Sequence, residues 1–61
     1  MKLALLERHL RQQGCVFLRE GGAHAIWLNR QRHKIASVPR HRDIKEGTVR
    51  AICKQLEIPQ P

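Results

Sequence analysis

Aromatic side chains are nearly missing from this chain: Trp27 and Phe17 are the only two, and there is no tyrosine. A protein that reads single-stranded RNA by stacking successive bases needs a row of aromatic platforms, so recognition here has to rest on charge and shape. Acidic residues are scarce as well, five against 12 Lys and Arg, for a net charge of +7. That balance favours an anionic partner: nucleic acid, an acidic membrane surface or an acidic protein. Long apolar runs are absent, and nothing approaches the ~20 residues of a membrane span. Residues 1–10 carry Glu7, Arg8 and His9 and form no signal-peptide core. The expectation is a cytoplasmic protein without a membrane partner.

Two cysteines, Cys15 and Cys53, can close one bridge at most. That is too few for a disulfide scaffold and fits reduced thiols. Four histidines and two cysteines invite a check for zinc, but their order (His9, Cys15, His24, His33, His41, Cys53) contains no Cys-x-x-Cys and no closely spaced histidine pair. Ser37, the only serine, has no evident base, and both cysteines fit apolar faces. No glycine pattern of the phosphate-cradling or dinucleotide-binding kind is present. No metal or cofactor is therefore expected. Sixty-one residues make a single domain, 1–61, with 58–61 read as a loose tail. A core this small is marginal alone, and pairing with itself or with a partner protein would stabilise it.

What is present reads as five elements. Leu3, Leu6 and Leu10 recur at helical spacing, Glu7 is placed to pair with Arg11, and Gly14 suits a left-handed cap, so the first helix covers about 2–13. Residues 15–20 are β-prone. Gly21-Gly22 signals a two-residue hairpin turn into a second strand from Ala23 to Asn29. Arg30 to His33 make another turn, and Lys34 to Val38 form a third strand ended by Pro39. A basic loop runs from Arg40 to Gly47. Thr48 opens a second helix, capped by Gly47 or Thr48, with Val49, Ile52, Cys53 and Leu56 on one face. The order α-β-β-β-α predicts an α+β fold: a three-stranded antiparallel sheet with both helices packed on one face and the other face open to a ligand.

Alternation on the second strand puts His24, Ile26 and Leu28 on one face and Ala25, Trp27 and Asn29 on the other, without saying which is covered. His24 follows the glycine turn, and an imidazole is the side-chain type suited to moving protons near neutral pH. Trp27 reads first as a core anchor; as an alternative, it could be a platform for an unpaired base. Beyond the third strand, Val38-Pro39-Arg40-His41-Arg42 places an imidazole between two guanidiniums that can fork onto phosphate. Lys45 adds to the same basic stretch.

Three stretches then converge. The first is the helix closed by Gly14 and followed by a strand reaching Arg19. The second is Gly22-Ala23-His24-Ala25-Ile26-Trp27. The third is Val38-Pro39-Arg40-His41, leading to Gly47-Thr48-Val49-Arg50-Ala51-Ile52-Cys53-Lys54-Gln55-Leu56. Together they resemble the HicA-type mRNA interferase toxins of bacterial toxin–antitoxin pairs. That family shows Gly-Ser/Gly-His followed by an aromatic three residues on, then Val-Pro-x-His and Gly-Thr-Leu-Arg-x-Ile-Leu-Lys-Gln. Two positions depart: Ala23 stands where many members have Ser, and Cys15 where an aromatic is common.

The resemblance implies a double-stranded-RNA-binding-domain-like α-β-β-β-α fold. It also implies a metal-independent endoribonuclease acting on mRNA, with its key residue at His24, and neutralisation by a HicB-type antitoxin. On this reading His24 takes the 2′-hydroxyl proton of RNA, and Arg40, Arg42 and Lys45 offset charge building on the phosphate. His41 is the candidate proton donor to the leaving oxygen, and Trp27 the candidate base platform. Two rival readings use the same basic surface: a non-catalytic RNA-binding module, and an interaction protein that docks an acidic partner. A homodimer or a toxin–antitoxin hetero-oligomer fits the small size.

Overall fold

Apolar spacing in the first ten residues produces helix α1, Leu3–Gln12, which buries Leu6 and Leu10 completely. It ends as its glycine dictates: Gly14 adopts φ +86° and donates its N–H to the Arg11 carbonyl. The expected Glu7–Arg11 ion pair is absent. Arg11 instead lays its guanidinium 5.3 Å from the centre of the Trp27 ring. The computed structural model describes all 61 residues.

Three strands follow, β1 (Cys15–Gly21), β2 (His24–Asn29) and β3 (Lys34–Pro39), forming one antiparallel sheet in the order β1-β2-β3. The hairpin turn sits one residue later than expected. Gly21 pairs with His24, leaving Gly22 and Ala23 as the central residues, and of these only Gly22 has positive φ, at +70°. Positive φ at the first central residue alone is the type II′ pattern, whose twist matches that of the flanking strands. His24 is therefore the first residue of its strand.

Helix α2 spans Glu46–Leu56 and begins two residues before the expected start, with Lys45 as N-cap and no side-chain cap. Glu46 lies in the first turn, where a carboxylate interacts favourably with the positive end of the helix. Buried Ile44 pins the chain just before it. The last turn closes with Glu57 at φ 56°, the Glu57 N–H bonded to Lys54 and the Ile58 N–H bonded to Cys53. This is the Schellman arrangement. Ile58, read from sequence as loose tail, packs partly buried on the core, and the Pro59 carbonyl lies 2.7 Å from His9 Nε2.

The core is one cluster between the helices and a single sheet face. Leu6, Leu10, Val49, Ile52, Cys53 and Leu56 meet Cys15, Ala25, Trp27, Ala36 and Val38. Asn29, the one buried polar residue, donates from Nδ2 to the Leu56 carbonyl at 2.7 Å and accepts from the Gln31 N–H at 3.1 Å. One side chain thus joins the end of β2, the following turn and the end of α2. Arg32 and Lys34 both reach Glu57 at 3.6 Å and reinforce that corner. The α-β-β-β-α order and the one-sided packing are as the sequence predicts. No helix is long and apolar enough to cross a membrane.

Candidate active site on the open sheet face

Burial decides which side of β2 is available. Ala25, Trp27 and Asn29 point into the core, so His24, Ile26 and Leu28 belong to the face no helix covers. Cross-strand register arranges that face in three rows, since paired residues project to the same side. Val16, Leu28 and Ile35 form an apolar row at one end; Arg19, Ile26 and Ser37 form the middle row; Gly21, His24 and Pro39 form the row next to the hairpin. His24 is exposed, with no side chain beside it on β1 because its partner there is Gly21. A side chain at that glycine would crowd Ile26. A Cβ at Gly21 would lie 2.9 Å from Ile26 Cγ1 and Cδ1.

Trp27 does not serve as a base platform. It is 1% exposed, enclosed by the core, by Arg11 and by the edge of Phe17, whose ring centroid lies 6.3 Å away at 79°. Parity along β2 forces this, because an aromatic three residues after His24 falls on the opposite face. The core reading of Trp27 is the correct one.

The basic loop stands at the His24 end of the sheet, because Pro39, the partner of His24, leads directly into it. Its shape is set by the start of the chain. Lys2 bridges Asp43, the Leu3 N–H donates to the Arg42 carbonyl at 2.9 Å, and the Ile44 N–H donates to the Met1 carbonyl at 2.7 Å. His41 and Lys45 line a cleft of about 330 Å³ together with Pro39, Asp43, Ile44 and Thr48. Arg42 is exposed. Arg40 is not free: its guanidinium pairs with Glu20, which register with Ala25 puts on the helix side of the sheet, away from the His24 row.

Other chemistries find little purchase. Cys15 and Cys53 are free and buried, and loss of hydration pushes both thiols up, with Cys53 adding repulsion at Cys15. A thiol held protonated is a poor nucleophile. No three His, Cys, Asp or Glu side chains converge as a metal site requires.

Sequence reasoning missed one exposed cation on the His24 side, Arg19. Strict alternation from Cys15 would turn it toward the helices, but the register between β1 and β2 slips between Phe17 and Arg19. The slip depends on pairing between two strands and leaves no mark in the sequence of either.

No curated protein and no solved structure matches the chain. A family model described as HicA toxin of bacterial toxin–antitoxin matches residues 5–58, a span that runs from α1 through His24 and the basic loop to the Schellman turn. The chain belongs to the HicA toxin family of bacterial toxin–antitoxin systems.

Proposed function

We propose that this protein is an mRNA interferase: an endoribonuclease that cuts RNA without a metal ion and uses His24 as its proton-transfer residue. The observation carrying this reading is the placement of His24. It is an exposed imidazole on the uncovered sheet face, flanked by Gly21 and Pro39 and adjoining a basic loop on a chain of net charge +7.

In the proposed reaction neutral His24 accepts the proton of a ribose 2′-hydroxyl. The 2′ oxygen forms a bond to the adjacent phosphorus as the bond from phosphorus to the 5′ oxygen breaks. That leaving oxygen takes a proton, supplied by His41 or by water. The products are a 2′,3′-cyclic phosphate and a free 5′-hydroxyl, with no water consumed in the step. Arg42, Lys45 and His41 hold the flanking phosphates, while Arg40 stays with Glu20 on the helix side of the sheet. One such general acid–base group contributes about 10²–10⁴-fold, enough for a slow toxin. Ala23 contributes no hydroxyl to this arrangement.

The partner that fits is a HicB-type antitoxin, an acidic protein that silences the toxin by covering the open face, in the cytoplasm where mRNA is. Mapping the ends of cleaved RNA tests the chemistry. Cyclic phosphate and 5′-hydroxyl ends are expected, and a single 2′-deoxy nucleotide 5′ to the scissile phosphate should block cleavage there. Products with 5′-phosphate ends would overturn the mechanism, and an intact transcript bound with steep salt dependence would indicate a non-catalytic RNA-binding module.

A further inference from the structure

The cations assigned to the reaction so far come from the loop after β3, yet the sheet face carrying His24 has a cation of its own. The slip in register between Phe17 and Arg19 is a β-bulge, in which two residues of β1, Leu18 and Arg19, stand opposite one residue of β2, Ile26. Without the extra residue, Leu18 would pair with Ile26, and Arg19 would pair with core-facing Ala25. With it, Arg19 pairs with Ile26 and projects on the same face as His24, while Glu20 takes the place opposite Ala25.

Among the strand residues that share this face with His24, Arg19 is the only lysine or arginine. It is exposed and takes part in no ion pair, whereas Arg40 is engaged by Glu20 on the other side of the sheet.

We infer that Arg19 is a second catalytic residue, the guanidinium that contacts the scissile phosphate. This rests on the endoribonuclease reading and on His24 as its base. Arg19 and His24 are diagonal neighbours across β1 and β2, and such positions lie about 7–8 Å apart, within reach of long side chains. A base must come within about 3 Å of the 2′ oxygen it deprotonates, and the phosphorus under attack is adjacent to that oxygen. A guanidinium reaching from the next row therefore meets the two non-bridging oxygens, where negative charge grows as the 2′ oxygen adds. Its planar fork matches those two oxygens in a way an ammonium does not. The bulge accounts for an arginine on this face, and buried Ile26, leaning over the bare position at Gly21, is the apolar residue between the two.

The test compares Arg19→Gln and Arg19→Lys with the wild type on a synthetic RNA oligonucleotide in EDTA. It measures the single-turnover rate at saturating protein separately from binding by fluorescence anisotropy. For Arg19→Gln the saturated rate falls roughly 100-fold while affinity changes less than about threefold. Arg19→Lys recovers roughly tenfold of that loss, since it keeps charge without the fork. Circular dichroism of both variants matches the wild type, because Arg19 is exposed. A saturated rate within about twofold of wild type for Arg19→Gln overturns the assignment, as does a loss confined to affinity. A wild type that leaves the RNA intact overturns the endoribonuclease reading itself, and the role of Arg19 with it.

Discussion

Residue by residue, the open face depends on what Gly21 lacks. The partner of His24 on β1 has no side chain, and Ile26 leans over the vacated position. Gly21→Ala puts a Cβ at 2.9 Å from two carbons of a β-branched side chain. Overpacking of this kind costs about 1–3 kcal/mol, and the shift of Ile26 disturbs the space between Arg19 and His24. Urea denaturation should show that loss, together with slower RNA cleavage. Gly47→Ala is the control. It lies in the first turn of α2 where a Cβ would meet nothing, and removing the flexibility of glycine there should add up to about 1 kcal/mol. Equal losses in both variants would mean that backbone conformation, and not the contact with Ile26, governs Gly21.

At the level of elements, the chain start acts as a short strand that holds the basic loop, through Lys2 and Asp43, Leu3 and Arg42, and Met1 and Ile44. One substitution tests this role, read at the Ile44 amide because Leu3 also packs on the core. Leu3 is the first residue of α1, a position where proline is well tolerated, and Lys2 before it is already extended at φ −71°, ψ 142°. Leu3→Pro therefore removes the N–H donated to the Arg42 carbonyl, together with part of the apolar contact Leu3 makes with the core, while leaving the helix able to form. The expected cost is about 1 kcal/mol, with faster hydrogen exchange at the Ile44 amide and weaker RNA binding. Unchanged exchange at Ile44 would show that the loop holds its shape unaided.

The same scale shows what could be read beforehand. Leucine spacing, the Gly14 cap and the glycine turn give the element order, because each depends on neighbours in sequence. The covered face of β2 depends on the helices, so alternation could place Trp27 and His24 on opposite sides without deciding which was buried. Burial of Trp27 in turn removes it from the candidate RNA contacts. The α2 start was displaced because capping preference at Gly47 and Thr48 yields to Glu46 in the first turn and to the anchor at Ile44. Asn29 looked like an ordinary strand end. Its role at the α2 terminus arises from two elements far apart in the chain. The bulge that turns Arg19 was likewise invisible, and so was the Glu20 pairing that occupies Arg40.

Across the whole molecule, a small core that contains two buried thiols links stability to pH. Burial raises both thiols, so the folded chain keeps these protons at pH values where the unfolded chain has released them. The folded state then binds more protons, and stability falls as pH rises through the ordinary thiol range. Below that range the effect vanishes. Denaturation midpoints measured from neutral to alkaline pH should decline, and the double variant Cys15→Ala, Cys53→Ala should decline less steeply from its lower starting stability. Parallel slopes would place the alkaline loss in other groups.

The molecule divides its work between two faces: one side of the sheet is spent on the core, and the other presents His24 beside a cationic loop. The most direct measurement of that account is RNA cleavage by purified wild type and His24→Ala in EDTA, with circular dichroism confirming that both are folded. The account predicts cleavage by the wild type in the absence of metal and a loss of about 10²–10⁴-fold in the variant. Full cleavage and full growth arrest by His24→Ala would contradict it.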